Sequence, residues 1–383
     1  MSEQLAVRIH PRLSEIPAAD WNTLLADANP FLDHAFLSGL EEYGCLDAAH
    51  GWRGHHLGLY DNGKLVAAAP LYLKTNSHGE FVFDWSWAHA YARNGLDYYP
   101  KLLCAVPYSP VTGPRLLGDP SRRTALIDTI RDECDRLGLS SAHANFCSDA
   151  DAAAFADHAQ WLPRFDWQFH WQNKPIASGG CRDFDDFLDA LKPKKRKNIR
   201  QERAHVQRAG VRCEVRHGGE IEAETWRRIH LFYSATFDEK GNYPALTLEF
   251  FQHLGRTMPD RVLAVLACRG TDLIAAALLL RSPTTLYGRY WGCAETIPGL
   301  HFEVCYYQGI DYCMRHGLQR FEPGAQGEHK LARGFLPART TSFHYVADRR
   351  FRAAIADALA RESQALHAYH GELFAHSPYA ETT

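Results

Sequence analysis

The chain has 383 residues, 46% of them hydrophobic and 23% charged, which suits two domains of ordinary globular composition. Its formal net charge of −3 gives no global attraction to nucleic acid or anionic membrane, so such binding would need a local patch. No apolar run approaches the ~20 residues that cross a bilayer. The N-terminus lacks a signal-peptide pattern, and the ten cysteines form no CxxC pair. We expect a cytoplasmic protein with reduced thiols and no membrane span.

The first half is predicted to combine helices with short strands. The stretch 21–45 is helical with a break at Pro30, and Asp33 is placed to cap its second part. Two apolar runs around the Asn-Gly turn at 62–63 predict a hairpin. A third strand is predicted over 80–87, where the aromatic residues fill a core or, alternatively, stack on a ligand. The remaining predicted elements are a helix over 121–137, a strand over 141–146, a helix over 149–159 and a strand over 168–171.

The second half repeats this organisation after a linker predicted at 177–180, so we divide the chain into domains 1–175 and 176–383. The pattern of strand, polar turn, aliphatic residue and three alanines recurs at 56–72 and 263–279. We take this as internal duplication; the alternative is that two antiparallel hairpins are simply alike. The elements predicted here are helices over 184–209 with a break at 193, 222–236, 246–258 and 300–315, and strands over 211–216, 262–268, 273–280, 285–291 and 319–322.

Most standard enzyme signatures are absent from the sequence. It contains no Walker A loop, Rossmann glycine pattern, GxSxG elbow or HExxH motif. His301-Phe-Glu303 resembles the start of a zinc deaminase motif, but the Pro-Cys-x-x-Cys that completes such a motif does not follow. We therefore expect no metal.

The densest polar segment is 321–337, directly after a predicted strand. Its glycines allow a ligand to approach the backbone and expose N–H groups to anionic oxygens. Lys330 and Arg333 share one face if the segment is helical, where they could hold a phosphate or carboxylate. The alternative is a solvated surface loop. Long polar loops within compact domains are usually functional or disordered, and the interleaved Phe335 and Leu336 argue against disorder. The candidate ligand contacts of the segment are Gln326, Glu328, Lys330, Arg333 and Phe335.

Proton transfer needs an acceptor near the reacting amine. The candidate acceptors are Glu303, Glu322 and His329. Glu303 lies at a predicted helix start, where an acid is also favourable for the helix dipole alone. Arg289 is a cation in a predicted strand, a position where a purely structural strand would prefer an apolar residue. Tyr290 and His301 are further candidate contacts beside it.

Two other clusters are candidate binding surfaces. In the first half, Glu80 and Asp84 are four apart on the predicted third strand, hence on one face, and with His78 and Trp85 they suggest a substrate groove. In the second half, 192–203 holds seven basic residues in twelve. This run is either a solvated helix face or an anion site for a nucleotide, a carrier-protein phosphate or a tRNA backbone.

Several of these segments, taken in order, resemble the FemAB-like acyltransferases of the wider N-acetyltransferase-like (GNAT-like) superfamily. The resemblance implies an α+β fold of two tandem GNAT-like domains, each a mostly antiparallel sheet flanked by helices. Relatives in the wider group add amino acids from aminoacyl-tRNA to cell-wall peptides, and their phosphate-contacting Lys, followed by a Phe, is similar to Lys330 and Phe335. The long helical arm of some relatives has no counterpart here. The residues that carry the resemblance are 70–74, 78–85, 98–102, 110–115, 195–200, 288–292, 300–303 and 324–335.

These observations lead to the hypothesis of an N-acyltransferase. It would transfer an acyl or aminoacyl group from acyl-CoA, the expected cofactor, or from aminoacyl-tRNA to a small-molecule or peptide amine, with backbone N–H groups stabilising the oxyanion. A tRNA or carrier protein could bind through 192–203. The alternative is a non-catalytic module of the same fold that binds a cell-wall precursor or a carrier protein.

Overall fold

The computed structural model describes residues 5–47, 49–174, 180–325 and 327–380. The chain forms two compact units. Unit 1 contains the described residues up to Asp166 together with Arg339–Tyr369, and unit 2 contains Trp167–Ala338 and the described residues from His370 onward. This division differs from the expected boundary after residue 175, because 339–369 belongs to unit 1. Most of the linker predicted at 177–180 lies outside the described residues.

The elements are numbered in chain order. The strands are β1 (Ala6–His10), β2 (Trp52–Gly54), β3 (His56–Asp61), β4 (Lys64–Ala69), β5 (Leu71–Lys74), β6 (Lys101–Cys104), β7 (Leu117–Gly118), β8 (Ser141–Ala144), β9 (Trp161–Gln172), β10 (Val211–His217), β11 (Val262–Arg269), β12 (Asp272–Arg281), β13 (Thr285–Cys293), β14 (Arg320–Glu322) and β15 (Leu336–Val346). The α-helices are α1 (Ala18–Thr23), α2 (His34–Glu42), α3 (Trp85–Arg93), α4 (Arg123–Arg136), α5 (Asp149–Ala156), α6 (Phe184–Asp189), α7 (Pro193–Arg208), α8 (Ala223–Asp238), α9 (Leu248–Thr257), α10 (Leu300–Phe302), α11 (Gln308–Arg315) and α12 (Arg349–Ala375). A π-helical turn (Glu303–Tyr307) joins α10 to α11, and 3₁₀ helices include Glu328–Arg333.

Unit 1 contains two sets of paired strands. One is β1-β3-β4-β7, antiparallel throughout. The other runs β2-β5-β6-β8 and ends on β15. Its β6–β8 pair is parallel, and its β2–β5, β5–β6 and β8–β15 pairs are antiparallel. The predicted hairpin is confirmed, with positive φ at Asn62 and Gly63 in its turn. Its second run is broken at Pro70, whose missing N–H suits the passage from β4 to β5 in the other set.

Unit 2 has the strand order β10-β11-β12-β13-β14-β9. The β13–β14 pair is parallel and the other pairs are antiparallel. In the β2-β5-β6-β8-β15 set of unit 1, antiparallel pairs are likewise followed by one parallel pair, β6–β8, and a final antiparallel pair, β8–β15, but the β3–β4 hairpin lies in the other set. Each unit packs helices around its own apolar core. The fold is therefore α+β, with two units of mostly antiparallel sheet flanked by helices.

The strand predicted over 80–87 is wrong. The chain there forms a loop up to Asp84, and α3 begins at Trp85. The alternating aromatic residues imitate a strand, but Asp84, Trp87 and Tyr91 are the buried positions and have helical spacing. The strand β15 and the long helix α12 were not predicted. No helix of the described residues is long and apolar enough to cross a membrane.

Candidate active site in unit 2

The sheet of unit 2 opens beyond the end of β14. The parallel strands β13 and β14 pair only between Thr285–Tyr287 and Arg320–Glu322. Pro323 follows directly and has no N–H to extend the pairing. On the other edge of β13, the register with β12 shifts so that Arg289 is the inserted residue of a β-bulge. Bulges re-aim side chains, and this one stands where the neighbouring strand ends.

A pocket of about 90 Å³ occupies this opening. One wall comes from β12 and from β13 at the bulge, and the opposite wall from α10 and the π-helical turn. A π-helical turn is itself common at functional sites. The lining residues are Ala277, Leu279, Gly288, Arg289, Tyr290, Trp291, His301, Cys305, Tyr306 and Pro323. The sequence had indicated three of these, Arg289, Tyr290 and His301.

One cation, Arg289, lines this pocket, and a second, Lys330, is not a lining residue but lies close enough to Arg289 to interact with it. The Lys330 side chain is almost fully buried, with 2% exposure, and its Nζ donates to the carbonyl oxygen of Gly324 at 2.6 Å. Burial and the Arg289 guanidinium lower the pKa of Lys330 to about 7. Burial also lowers the pKa of Arg289, and the Glu322 carboxylate opposes this. Because like charges in a dry site destabilise each other, the pair favours an incoming anion or oxyanion.

Glu322 is the acid of this polar centre. Its side chain is 1% exposed and lies 3.0 Å from the Nε of Arg320, which is itself 38% exposed. The neighbouring His170 is buried, and burial lowers its pKa while Glu322 opposes that shift. Glu322 thus partly neutralises the charge of Arg289.

Two imidazoles flank the pocket. Burial lowers the pKa of His301 to about 4, aided by His329 and Arg333, so this ring is neutral at neutral pH. His329 is exposed overall, and its Nε2 lies 2.9 Å from the hydroxyl of Tyr306. Partial desolvation of the ring lowers the pKa of His329. Burial raises the pKa of the Tyr306 phenol, which therefore stays protonated. Tyr306 lies between the pocket and a neutral imidazole, an arrangement suited to passing a proton outward.

Arg333 is not a lining residue. Its guanidinium donates to Glu202 on α7 at 2.6 and 3.2 Å and to the carbonyl oxygen of His329 at 2.7 Å, and it lies over the Phe302 ring. These contacts tie the 3₁₀ helix 328–333 to α7. Arg333 therefore positions the backbone that presents His329 and Lys330.

Glu303 is likewise held away from the pocket lining. Its carboxylate accepts two bonds from Arg203, at 3.0 and 3.1 Å, and a third from the Gln308 side chain at 2.7 Å. With 5% exposure it forms a buried ion pair. Because its oxygens already accept these three hydrogen bonds, the Glu303 carboxylate is poorly placed to accept a proton from a substrate.

The other residues predicted in the second half divide between surface and core. Tyr290 packs its ring 5.0 Å from that of Tyr233. Phe335 is fully buried against Tyr306 and Phe321, so it belongs to the core. Glu328 is exposed, and Gln326 lies outside the described residues. Tyr306 and Cys305 were missed, although a tyrosine pair after the indicated His301 was a usable signal.

The acids predicted in the first half do not form an open groove. Glu80 and Asp84 are 3% and 1% exposed, and both bind the Lys101 ammonium, at 2.8 Å for Glu80. Tyr98 donates its hydroxyl to Asp84 at 2.6 Å. In contrast, His78 and Trp85 are exposed. The four residues therefore separate into a buried ion cluster and an outer surface.

The basic run 192–203 lies on α7 and is partly neutralised. Arg196 pairs with Asp189 at 2.7 Å, Arg200 with Asp185 at 3.2 Å, and Arg203 with Glu303. The lysines at 192, 194 and 197 are exposed. Within the part of the chain that the structure describes, no group of three His, Cys, Asp or Glu residues could hold a metal ion.

Solved structures share this architecture. The chain is similar to FemX at 11% identity and a TM-score of 0.52, over 92% of this chain and 100% of that one. It is similar to L-PGS from Bacillus licheniformis at 12% identity and a TM-score of 0.48, over 82% and 91% of the two chains. A tandem GNAT protein from the clavulanic acid biosynthesis pathway matches at 13% identity and a TM-score of 0.45, over 90% and 99%. At 11% identity, the similarity to FemX shows a shared fold and nothing about function.

Comparison with curated proteins gives no significant match. The model of the FemAB-like family, described as peptidoglycan biosynthesis/recognition, matches residues 12–381, which is nearly the whole chain. This match shows that the chain belongs to the FemAB-like family.

Proposed function

We propose that this protein is an acyltransferase that moves an acyl or aminoacyl group from an activated donor to an amine, and that unit 2 carries the reaction. Membership of the FemAB-like family supports transferase chemistry in general. The observation that carries the proposal is the pocket beyond β14, which is lined by Arg289, the neutral His301 and Tyr306. The buried Lys330 lies close to Arg289, and His329 is bonded to the Tyr306 hydroxyl. These are the groups that acyl transfer requires.

In the proposed reaction the amine nitrogen attacks the carbonyl carbon of the donor, and negative charge develops on the carbonyl oxygen. Lys330 and Arg289 stabilise this oxyanion, because both are cationic groups that burial has removed from water. The same charge development raises the pKa of Lys330, so that its ammonium form is favoured as the tetrahedral intermediate forms. The bond from the carbonyl carbon to the leaving group then breaks.

The amine must lose a proton as the new bond forms. We assign its removal to Tyr306 and His329, in which the phenol oxygen takes the amine proton while its own proton passes to Nε2 of His329, 2.9 Å away. His329 is exposed and can release the proton to solvent. Glu322 partly neutralises the charge of Arg289. We assign Glu303 a structural role, because its carboxylate is paired with Arg203.

The donor and acceptor are defined only by class. A pocket of about 90 Å³ holds the reacting carbonyl and little more, so the rest of the donor would lie outside it. Acyl-CoA and aminoacyl-tRNA both carry phosphates that the exposed lysines of α7 could bind. The acceptor would be a small-molecule or peptide amine, and a cytoplasmic location suits both donors.

A thermal-shift screen tests the proposal. The ligands are coenzyme A, acetyl-CoA, aminoacyl-tRNA and UDP-linked cell-wall precursors, and a ligand at ~100 times its Kd adds ~2.7 kcal/mol of stability. We expect Lys330→Ala to reduce the shift given by the donor, and Lys64→Ala, at the exposed hairpin of unit 1, to preserve it. Equal shifts for both variants would contradict a role for Lys330.

Turnover of the donor identified in this way separates catalysis from binding. We expect His329→Ala to lower the transfer rate about 10²-fold or more, and Glu303→Gln to retain most of it at a reduced Tm. Binding of a precursor or carrier without transfer, equally in wild type and His329→Ala, would instead indicate a non-catalytic module.

A further inference from the structure

Unit 1 presents a concentrated aromatic surface that the proposed reaction does not use. Phe81, Phe83, Trp85 and Leu96 are 36%, 40%, 48% and 43% exposed. They are four of the eight large hydrophobic residues that are exposed in the described chain, and all lie within the segment 78–96. We call this segment the aromatic rim. Such clustering marks an interaction surface, whereas single exposed apolar residues need no explanation.

The aromatic rim is held in a fixed conformation. Its two acids, Glu80 and Asp84, both bind the buried ammonium of Lys101, so the loop is clamped on either side of Phe81 and Phe83. Arg164 donates to the carbonyl oxygen of Phe83 at 2.8 Å. Phe81 adopts a φ of 62°, a strained conformation for a bulky residue that its surroundings must maintain.

The clamp also sets the charge of the outer surface. Because both acids of 78–96 face Lys101, this segment exposes no carboxylate and presents only His78, His89 and Arg93 as charged or titratable groups. The rings of Phe83 and Trp85 stack with their centroids 4.5 Å apart. The segment therefore combines aromatic rings, one leucine and basic groups, and the next acid along the chain is Asp97. Glu362, which is 39% exposed, is paired with the Arg164 guanidinium that contacts Phe83.

This combination matches the interface of a phospholipid bilayer. Trp and Phe favour the headgroup region, where the apolar part of a side chain is buried, and basic groups are attracted to anionic lipid. A carbohydrate platform commonly bonds sugar hydroxyls through carboxylates beside the rings, and the two carboxylates of this segment are buried against Lys101. A second copy of the same surface would bring like charges together. We propose that the aromatic rim docks unit 1 on the surface of an anionic bilayer, with Phe83 and Trp85 inserted.

Co-sedimentation with vesicles of equimolar phosphatidylcholine and phosphatidylglycerol tests this proposal. We expect the full chain to bind the vesicles and the double variant Phe83→Ala/Trp85→Ala to bind at least tenfold more weakly, since each ring lost removes a buried apolar contact. The matched control is Leu231→Ala/Tyr243→Ala, which removes two residues of unit 2 that are 59% and 63% exposed. This control should bind as the wild type does.

All four residues are exposed, so both variants should keep the wild-type Tm, and this is measured alongside. Failure of the wild type to bind vesicles, or equal binding by the aromatic variant and the wild type, would overturn the proposal. Retention of the wild type on insoluble glycan or self-association dependent on Trp85, without vesicle binding, would also overturn it. None of these readouts depends on acyl transfer, so they test the rim separately from the site in unit 2.

Discussion

Three lysines are buried among the residues that the structure describes, and each is accommodated differently. Lys101 binds two carboxylates, which together raise its pKa against the effect of burial. Lys74 donates to carbonyl and amide oxygens and lies 4.0 Å from the centre of the Trp52 ring, and burial lowers its pKa to about 7. Lys330 contacts a carbonyl oxygen with Arg289 close by. Its ammonium form is therefore the one that a bound anion would stabilise most.

The low pKa of Lys330 makes its contribution to stability depend on pH. The folded chain holds this proton only below about pH 7, whereas the unfolded chain holds it up to its ordinary value of 10.5. Between pH 7 and pH 10.5 the unfolded state binds more protons than the folded state, so the free energy of unfolding rises with pH. We expect Lys330→Met to stabilise the protein at about pH 7, by at most ~4 kcal/mol, and to lose this advantage by about pH 10. Urea unfolding at both pH values measures the difference, and a pH-independent effect would contradict the buried-ammonium account.

The residue types of the site were readable from sequence, but their partners were not. Arg289 was indicated because a cation is unusual inside a strand, and it lines the pocket at a bulge. Glu303 was indicated by its place at a helix start. Its engagement with Arg203 depends on a residue 100 positions earlier in the chain, and no local pattern announces such a pair.

At the scale of elements, the loop and helix at 80–93 illustrate what local pattern leaves undecided. Alternating aromatic residues from Phe81 to Trp87 fit a period of two and predicted a strand. A strand does not form, because the ammonium of Lys101 binds both acids of the segment, Glu80 and Asp84, and holds them in the protein interior. In contrast, Asp33 was correctly predicted to cap α2, because a cap needs only the backbone N–H two residues on.

The 3₁₀ helix 328–333 ends on a glycine that its surroundings require. Gly334 has a φ of 93°, and a Cβ there would lie 2.8 Å from the Phe187 ring, which is 1% exposed and cannot move aside. We expect Gly334→Ala to cost about 2–4 kcal/mol from backbone strain and overpacking. Gly317→Ala is the control, since Gly317 also has positive φ but no atom within 4 Å of the added carbon. It should cost about 1 kcal/mol. Similar losses of Tm in both variants would argue against the packing role of Phe187.

At the scale of the whole molecule, the sequence predicted most strands and the mixed fold, but not how distant segments complete each unit. In unit 1, β8 pairs with β15 through Phe343–Val346, and in unit 2, β14 pairs with β9. The signal for α12 was present, because Ile355 and Leu359 recur at helical spacing and are buried. The assignment of β15 to the first unit depends on a pairing that hydrophobic periodicity does not encode.

This composition of unit 1 predicts the behaviour of fragments. A fragment of residues 1–175 lacks Phe343 and Tyr345, which are 3% and 4% exposed in the unit 1 core, and leaves the edge of β8 unpaired. We expect it to aggregate or to lack cooperative thermal unfolding. A fragment joining 1–166 to 339–369 through a flexible linker should unfold cooperatively in the same circular dichroism experiment. Cooperative unfolding of 1–175 would show that β15 is dispensable.

The position of β15 also has a consequence for biosynthesis. The ribosome makes the N-terminal half first, but unit 1 receives its last core strand only when Phe343–Val346 has emerged. Through the whole interval in which 167–338 is being translated, the nascent unit 1 carries an open strand edge and uncovered apolar side chains. Such intermediates are prone to aggregation and are typical clients of chaperones. Pauses in translation, which help proteins whose domains fold in sequence, would therefore prolong the vulnerable state of this one.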